Sequence, residues 1–405
     1  MELYKGTRLA GLAKPEWDIG RVFHTDEGGK RLVASLLMGL NLLLVIGLQA
    51  SNSRIVAGDW KMYYTAALAL RSSHRADLYN PDVYMATQQR LLPGLPPDEV
   101  KTYTHTPYEL LAYLPFSFLP YRAAAYAWIG FTMLLAVLCG RLLGSYAAVL
   151  GLAPLIPVLV YQQDSVIALL LLTLCWRLLQ SDKLVPAGLM LGLALFKFPL
   201  VLPLTLVLVL WKPRLLKGFA VSGAVVFLVS LLLVGPAGLH SYVDYIWHMA
   251  RDSSAAVSPQ HQVDPRHMPT LRGVIYEIAS GGARVGASWT VPVTALAALV
   301  LLLAAWKFMR SAAPDELKFS LAVLLAILLS YHSLLHDLVL LAIPFVLLRS
   351  FFARLLLLPF YCAPLLLLFY PNGHAWLALF MLGACVGVWL TLTAQPDPIP
   401  AAVPG

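Results

Sequence analysis

The sequence predicts an all-α polytopic membrane protein. Three observations carry that prediction. The chain is 59% hydrophobic and only 12% charged over 405 residues, where soluble domains carry roughly 25% charge. Its mean hydropathy is +0.74, and apolar runs of near-membrane length recur along it. When those runs are threaded alternately through a bilayer, the basic residues of the short loops fall on one side.

Residues 1–30 hold Lys5, Arg8, Lys14, Arg21 and Lys30 and read as a cytoplasmic tail with room for an interfacial helix. The first apolar run, about 31–50, lacks a small-residue cleavage pattern and is expected to stay as a span. A polar region, 51–121, follows on the outer side. Its pieces near 60–72 and 81–92 suit short helices on the membrane surface. Leu110 to Leu119 is too short to span and is interrupted by Pro115 and Pro120, so it reads as re-entrant or interfacial.

Apolar runs then follow at about 122–143, 146–162, 164–181, 184–198, 199–212, 217–236, 289–309, 317–332, 334–349, 355–371 and 374–393, giving twelve expected spans. The short inside loops hold Arg141; Arg177 and Lys183; Lys212, Arg214 and Lys217; Lys307, Arg310 and Lys318; Arg349 and Arg354. A second long outer loop covers 237–288. Residues 31–393 form one expected transmembrane domain, and 394–405 a second cytoplasmic tail. No repeat of fixed period is visible, which weakens a secondary transporter built of inverted repeats.

The four cysteines lie inside apolar runs, which argues against disulfides and a cysteine metal site. The net charge of +8 is explained by the basic flanks that orient membrane helices, and no nucleic-acid partner is expected.

The unusual polar residues collect at the outer ends of the runs. Asp59 follows the first run directly, with Tyr63 and Tyr64 on the next turn if the stretch is helical. It reads either as a site residue or as a helix N-cap. His105 comes from the same loop, and Gln163 and Asp164 from the turn near 163. Lys197 stands in an apolar run with no charge nearby in sequence. It must snorkel, pair with an anion or lose its charge, and a phosphate is one anion it suits.

In the second long loop, His261, Asp264 and His267 match no strong metal spacing, and no metal is expected there. Arg272 precedes an apolar segment and suits bidentate phosphate binding. His332, His336 and Asp337 lie between two runs, where they either hydrogen-bond within the bundle or serve a site.

Taken in order, these residues resemble glycosyltransferase family 87, membrane enzymes of the GT-C superfamily. The elements are Asp59 with Tyr63 and Tyr64; Leu78-Tyr79-Asn80-Pro81; Thr106 to Pro120; Phe196-Lys197-Phe198-Pro199; Leu271-Arg272-Gly273; and Ser330 to Asp337. This chain has His105-Thr106-Pro107 where the family often has Tyr-Pro-Pro. It has Met268-Pro269-Thr270 where the family often has Asn-Gln-Ser.

The resemblance implies a GT-C-type bundle of about twelve transmembrane helices in the cell membrane, acting on its outer side. It implies transfer of a hexose, usually mannose, from a polyprenyl-phosphate-sugar donor to a lipid or glycan acceptor, with inversion and no cofactor. Asp59 is then the general base, and Lys197, Arg272 and His336 meet the donor phosphate. Tyr63, Tyr64, His105, Gln163, Asp164, His332 and Asp337 are the implied substrate contacts. A lipid-linked glycan ligase or flippase, or a secondary transporter, is the alternative.

Overall fold

The computed structural model describes residues 58–251, 265–280, 289–348, 351–361 and 374–393, together with Leu36 and Leu43. The expected first span, both expected tails and the larger part of 355–371 lie outside the described residues. Those described form sixteen α-helices and no strand.

An aromatic cap comes first. Helix α1 (Trp60–Arg71) and helix α2 (Pro81–Leu91) match the two expected short helices closely. Asn80 caps α2, its Oδ1 accepting from Asp82 N at 3.0 Å, and Pro81 sits where a missing N–H costs nothing. The expectation of a surface location fails for α1, because residues 60–67 are all buried. Leu110 to Phe118 folds as the short helix α3 (Leu110–Tyr113) and a 3-10 turn, Leu114–Phe118, packed beside α1. Trp60, Tyr63, Tyr64, Tyr103, Tyr113 and Trp128 then close an aromatic core separate from the main one.

The bundle follows. Helices α4 (Tyr121–Leu143), α7 (Ser165–Gln180), α12 (Thr290–Met309), α13 (Asp315–Leu329) and α16 (Leu377–Thr393) take up five of the expected runs. Between α4 and α7 the expected single span is instead two short helices, α5 (Tyr146–Leu150) and α6 (Leu155–Val160). Pro154, which has no N–H to continue a helix, lies at the break. The runs expected at 184–198 and 199–212 form α8 (Leu184–Leu193) and α9 (Phe198–Trp211), bent by 60° across the turn that carries Lys197.

Helix α10 (Leu215–Arg251) runs on past the expected span end at 236, so the start of the expected second long loop is helical. Gly235 breaks it with φ +71 and ψ 177, a conformation that a side chain would strain, and Pro236 follows. Beyond the break, Tyr242 reaches Tyr79 of the cap at 5.2 Å between ring centroids. Below it, α8 and α10 cross so closely that a Cβ on Gly188 would lie 2.1 Å from Leu215 O.

The remaining described helices are α11 (Leu271–Ser280), α14 (Ala342–Leu347) and α15 (Phe351–Leu357). Among the described residues, three helices are long and apolar enough to cross a membrane, or four if the bent pair is one span. Twelve separate full-length spans are therefore not reached among the described residues. Leu134, Leu232 and Leu296 are exposed on the three long helices and form part of an apolar outer surface suited to lipid.

Candidate functional site

The site is built where the aromatic cap meets the N-terminal end of α7, the α8–α9 bend and the 3-10 helix Leu335–Leu341. Asp59 stands at the N-cap position of α1, and its backbone carbonyl accepts from Met62 N and Tyr63 N at 2.9 and 3.3 Å. Its side chain makes no capping bond. The carboxylate contacts Lys101 Nζ through Oδ1 and accepts from Gln163 Nε2 at 2.5 Å through Oδ2. The capping alternative for this side chain is thus answered by geometry.

A line of polar contacts continues inward from Asp59. A carboxylate can only accept, so Gln163 presents its NH₂ to Asp59 and turns Oε1 to the Tyr63 hydroxyl, which donates at 3.2 Å. That hydroxyl also lies 3.4 Å from His105 Nε2. With the phenolic proton spent on Gln163, the His105 contact requires Nε2–H, which leaves a lone pair on Nδ1. His105 Nδ1 lies 3.1 Å from Glu109 Oε2. The Tyr103 hydroxyl, 3.3 Å from the same oxygen, donates to Thr106 O at 2.8 Å.

Two shifts follow. Burial pushes the His105 imidazole down to about 4, against the pull of Asp164. Burial, and then the neighbouring Asp164 carboxylate, hold the Glu109 carboxyl well above the usual range.

Lys197 occupies the interior. Its ammonium lies 2.9 Å from Asp164 Oδ1 and 3.1 Å from Asp337 Oδ1. Of the three fates expected for it, pairing with anions is the one found; it does not snorkel, since its side chain is 8% exposed. Ser165 Oγ donates to Asp337 Oδ1 at 2.9 Å, and Leu334 N donates to Oδ2 at 3.0 Å. His336 Nε2 is 3.6 Å from Asp337 Oδ1, close enough to feel Asp59 and Asp164 as well. Burial pushes His332, in the loop after α13, down to about 4, with Asp337 opposing and His336, Lys197 and Arg272 adding to the shift. Arg272 stacks on the Tyr331 ring at 4.0 Å from its centroid and donates to Tyr331 O at 3.2 Å.

The fold therefore brings together Asp59, Tyr63, His105, Gln163, Asp164, Lys197, His336 and Asp337, with His332 and Arg272 beside them. Tyr64 is held apart: its hydroxyl donates to Leu119 O at 2.7 Å and its ring meets Tyr121 edge-on at 5.1 Å. His267 contacts His374 instead, its carbonyl 3.3 Å from His374 Nδ1, while His261 and Asp264 lie outside the described residues.

Sequence reasoning missed Lys101, Glu109 and Ser165. Glu109 had a signal related to that of Asp59, a lone acid at the edge of an apolar stretch, here before it rather than after. Lys101 sits in a polar loop and had none.

In comparison with known proteins, the model of the family described as Glycosyltransferase family 87 matches residues 103–331, more than half of the chain. His105, Gln163, Asp164, Lys197 and Arg272 fall within the matched span, and Asp59, His332, His336 and Asp337 outside it. No curated protein and no solved structure matches.

Proposed function

The chain belongs to glycosyltransferase family 87, a GT-C type family of membrane glycosyltransferases, and from that premise we propose the reaction it performs. A hexose, most simply mannose, moves from a polyprenyl-phosphate-sugar donor to a hydroxyl of a lipid or glycan acceptor. The transfer occurs on the outer side of the cell membrane, within the twelve-span topology read from the loop charges.

The observation that supports this reading best is the Asp59 carboxylate. It is oriented by a lysine and an amide, free of capping duty and 20% exposed, while the acids behind it are closed off. The acceptor oxygen attacks the anomeric carbon, and Asp59 takes its proton. The bond from that carbon to the phosphate oxygen breaks, and the lipid phosphate leaves with the electron pair. One displacement inverts the centre.

The leaving phosphate needs fixed positive charge. Arg272 supplies it, His336 adds a hydrogen-bond donor, and Lys197 contributes by exchanging one of its two carboxylates for the phosphate. Gln163, Tyr63 and His105 hold the base side of the pocket; His332, Asp164 and Asp337 hold the phosphate side.

Purified protein incubated with radiolabelled polyprenyl-phosphate-mannose and membrane lipid extract should yield a labelled lipid product. Absence of any labelled product would overturn the donor assignment. For the topology, outside labelling should reach a cysteine placed at Gln260 and fail at Arg214; labelling at both would sink the twelve-span arrangement.

A further inference from the structure

His105, Glu109 and Asp164 come from the cap and from the turn before α7, yet one ligand atom of each lies within 4.8 Å of the others. The set is one imidazole and two carboxylates. Three details set it apart from an ordinary acidic cluster.

The first is the direction of the lone pairs. The line of contacts from Asp59 through Gln163 and Tyr63 places the proton of His105 on Nε2, so the Nδ1 lone pair faces Glu109 Oε2 at 3.1 Å. Two lone pairs repel unless something positive lies between them. The second is an orphan: Glu109 is 4% exposed, and its Oε1 has no hydrogen-bond donor. Asp164, 1% exposed, gives Oδ1 to Lys197 and otherwise meets only the Glu109 carboxyl, with which it can share a proton. Buried acceptors of this kind are costly.

The third is charge. Glu109, Asp164 and Asp337 are three buried carboxylates around the single ammonium of Lys197. Asp59 is already balanced by Lys101. With burial and Asp164 holding Glu109 in its acid form, the cluster keeps one negative charge beyond Lys197, and an ion that displaces the Glu109 proton would supply the two positive charges then needed.

We propose that His105, Glu109 and Asp164 bind one divalent cation of the Mn²⁺ or Zn²⁺ class. Carboxylate oxygen with imidazole nitrogen is donor chemistry that both ions accept. The ion neutralises the cluster and takes the His105 Nδ1 lone pair. The Nε2–H to Tyr63 contact becomes the outer-shell bond that fixes the ligand's tautomer. Through Tyr63 and Gln163 the ion also fixes the orientation of the Asp59 carboxylate.

The test needs no sugar donor, so its result is independent of the transfer reading. Full-length protein in detergent is stripped with chelator, dialysed and titrated with Mn²⁺, and bound ion is followed by electron paramagnetic resonance and calorimetry. A Zn²⁺ titration runs in parallel. One saturable equivalent per chain is expected for at least one of the two ions. Outer-shell partners alone are typically worth about 10–100-fold in metal affinity, so Glu109→Gln should weaken binding by more than about 100-fold. Asp82→Asn, in the exposed first turn of α2, should leave it unchanged.

No saturable binding of either ion by the wild-type chain overturns the proposal, and does so whether or not Glu109→Gln folds. Unchanged affinity in a folded Glu109→Gln protein overturns it as well, and a proton on Glu109 then bridges the cluster.

Discussion

Lys101 meets Asp59 at the edge of the cap, and Lys197 meets Asp164 and Asp337 in the interior. Both contacts join an ammonium to carboxylate, but their surroundings differ. The outer pair is 45% and 20% exposed, lysine first, so water screens it and an incoming hydroxyl can displace the lysine. The inner lysine is 8% exposed and its two acids 0% and 4%. Charges buried that deeply are held by their partners, and removing one strands the others. The outer acid thus suits the proton exchange proposed for it, and the inner group holds three segments of chain in register. If the inner and outer pairs proved equally tolerant of mutation, that division of labour would fail.

The largest expected effect is on catalysis at the outer pair. Asp59→Asn keeps the shape of the side chain and its contact with Lys101 but cannot take a proton. Turnover should fall by about 10²–10⁴ with expression unchanged. Near-normal turnover would place the base elsewhere, with His336 or Asp337 next.

At the inner group the expected effect is on folding. Lys197→Met leaves Asp164 and Asp337 buried against each other, a loss of about 3–5 kcal/mol. Thermal unfolding in detergent reads it. An unshifted melting temperature would mean that the carboxylates are neutral already.

A smaller effect comes from pH. Burial pushes the His332 imidazole down to about 4 from its ordinary 6.5. The folded imidazole is the weaker base, so the unfolded chain binds the extra proton first. Stability from this residue is complete above about 6.5 and is lost as pH falls toward 4. The melting temperature should drop between pH 7 and pH 5, and His332→Asn should flatten that slope; an equal slope in the variant would assign it to other groups.

The smallest effect is the stability cost of losing the outer lysine. Lys101→Met should cost about 0–1 kcal/mol, as exposed pairs do, while changing the pH–rate profile of transfer. A large loss of stability would show that the outer pair is structural too.

The two ends of the site were not equally legible from the sequence. Asp59 announced itself as a lone acid after an apolar run, and helices were expected where α1 and α2 begin. Lys197 announced itself as a cation without neighbours, but its partners lie 33 and 140 positions away along the chain. Spacing rules reach a turn or two of helix and do not find such pairs. The break at Pro154 was readable and was overridden by continuous apolarity, which measures burial or lipid contact rather than helix length. The α8–α9 boundary was divided in the right region, where the two helices meet at 60°. Burial of α1 was missed because Trp60, Tyr63 and Tyr64 suit a membrane surface and an aromatic core equally well by composition.

The aromatic stack of the cap has an optical consequence. Tyr63 lies parallel to Tyr113 at 4.3 Å, Tyr113 is stacked on Trp128 at 4.0 Å, and Trp60 is 6.0 Å from Trp128. Rings this close and held in a chiral arrangement couple their electronic transitions, which gives a near-ultraviolet circular dichroism band sensitive to small rotations. Tyr63 is also the residue that passes the position of Gln163, and so of Asp59, into the stack. The protein therefore carries an internal spectroscopic reporter one hydrogen bond from Gln163, which orients the Asp59 carboxylate. Occupancy of the pocket should be visible in that band without any label.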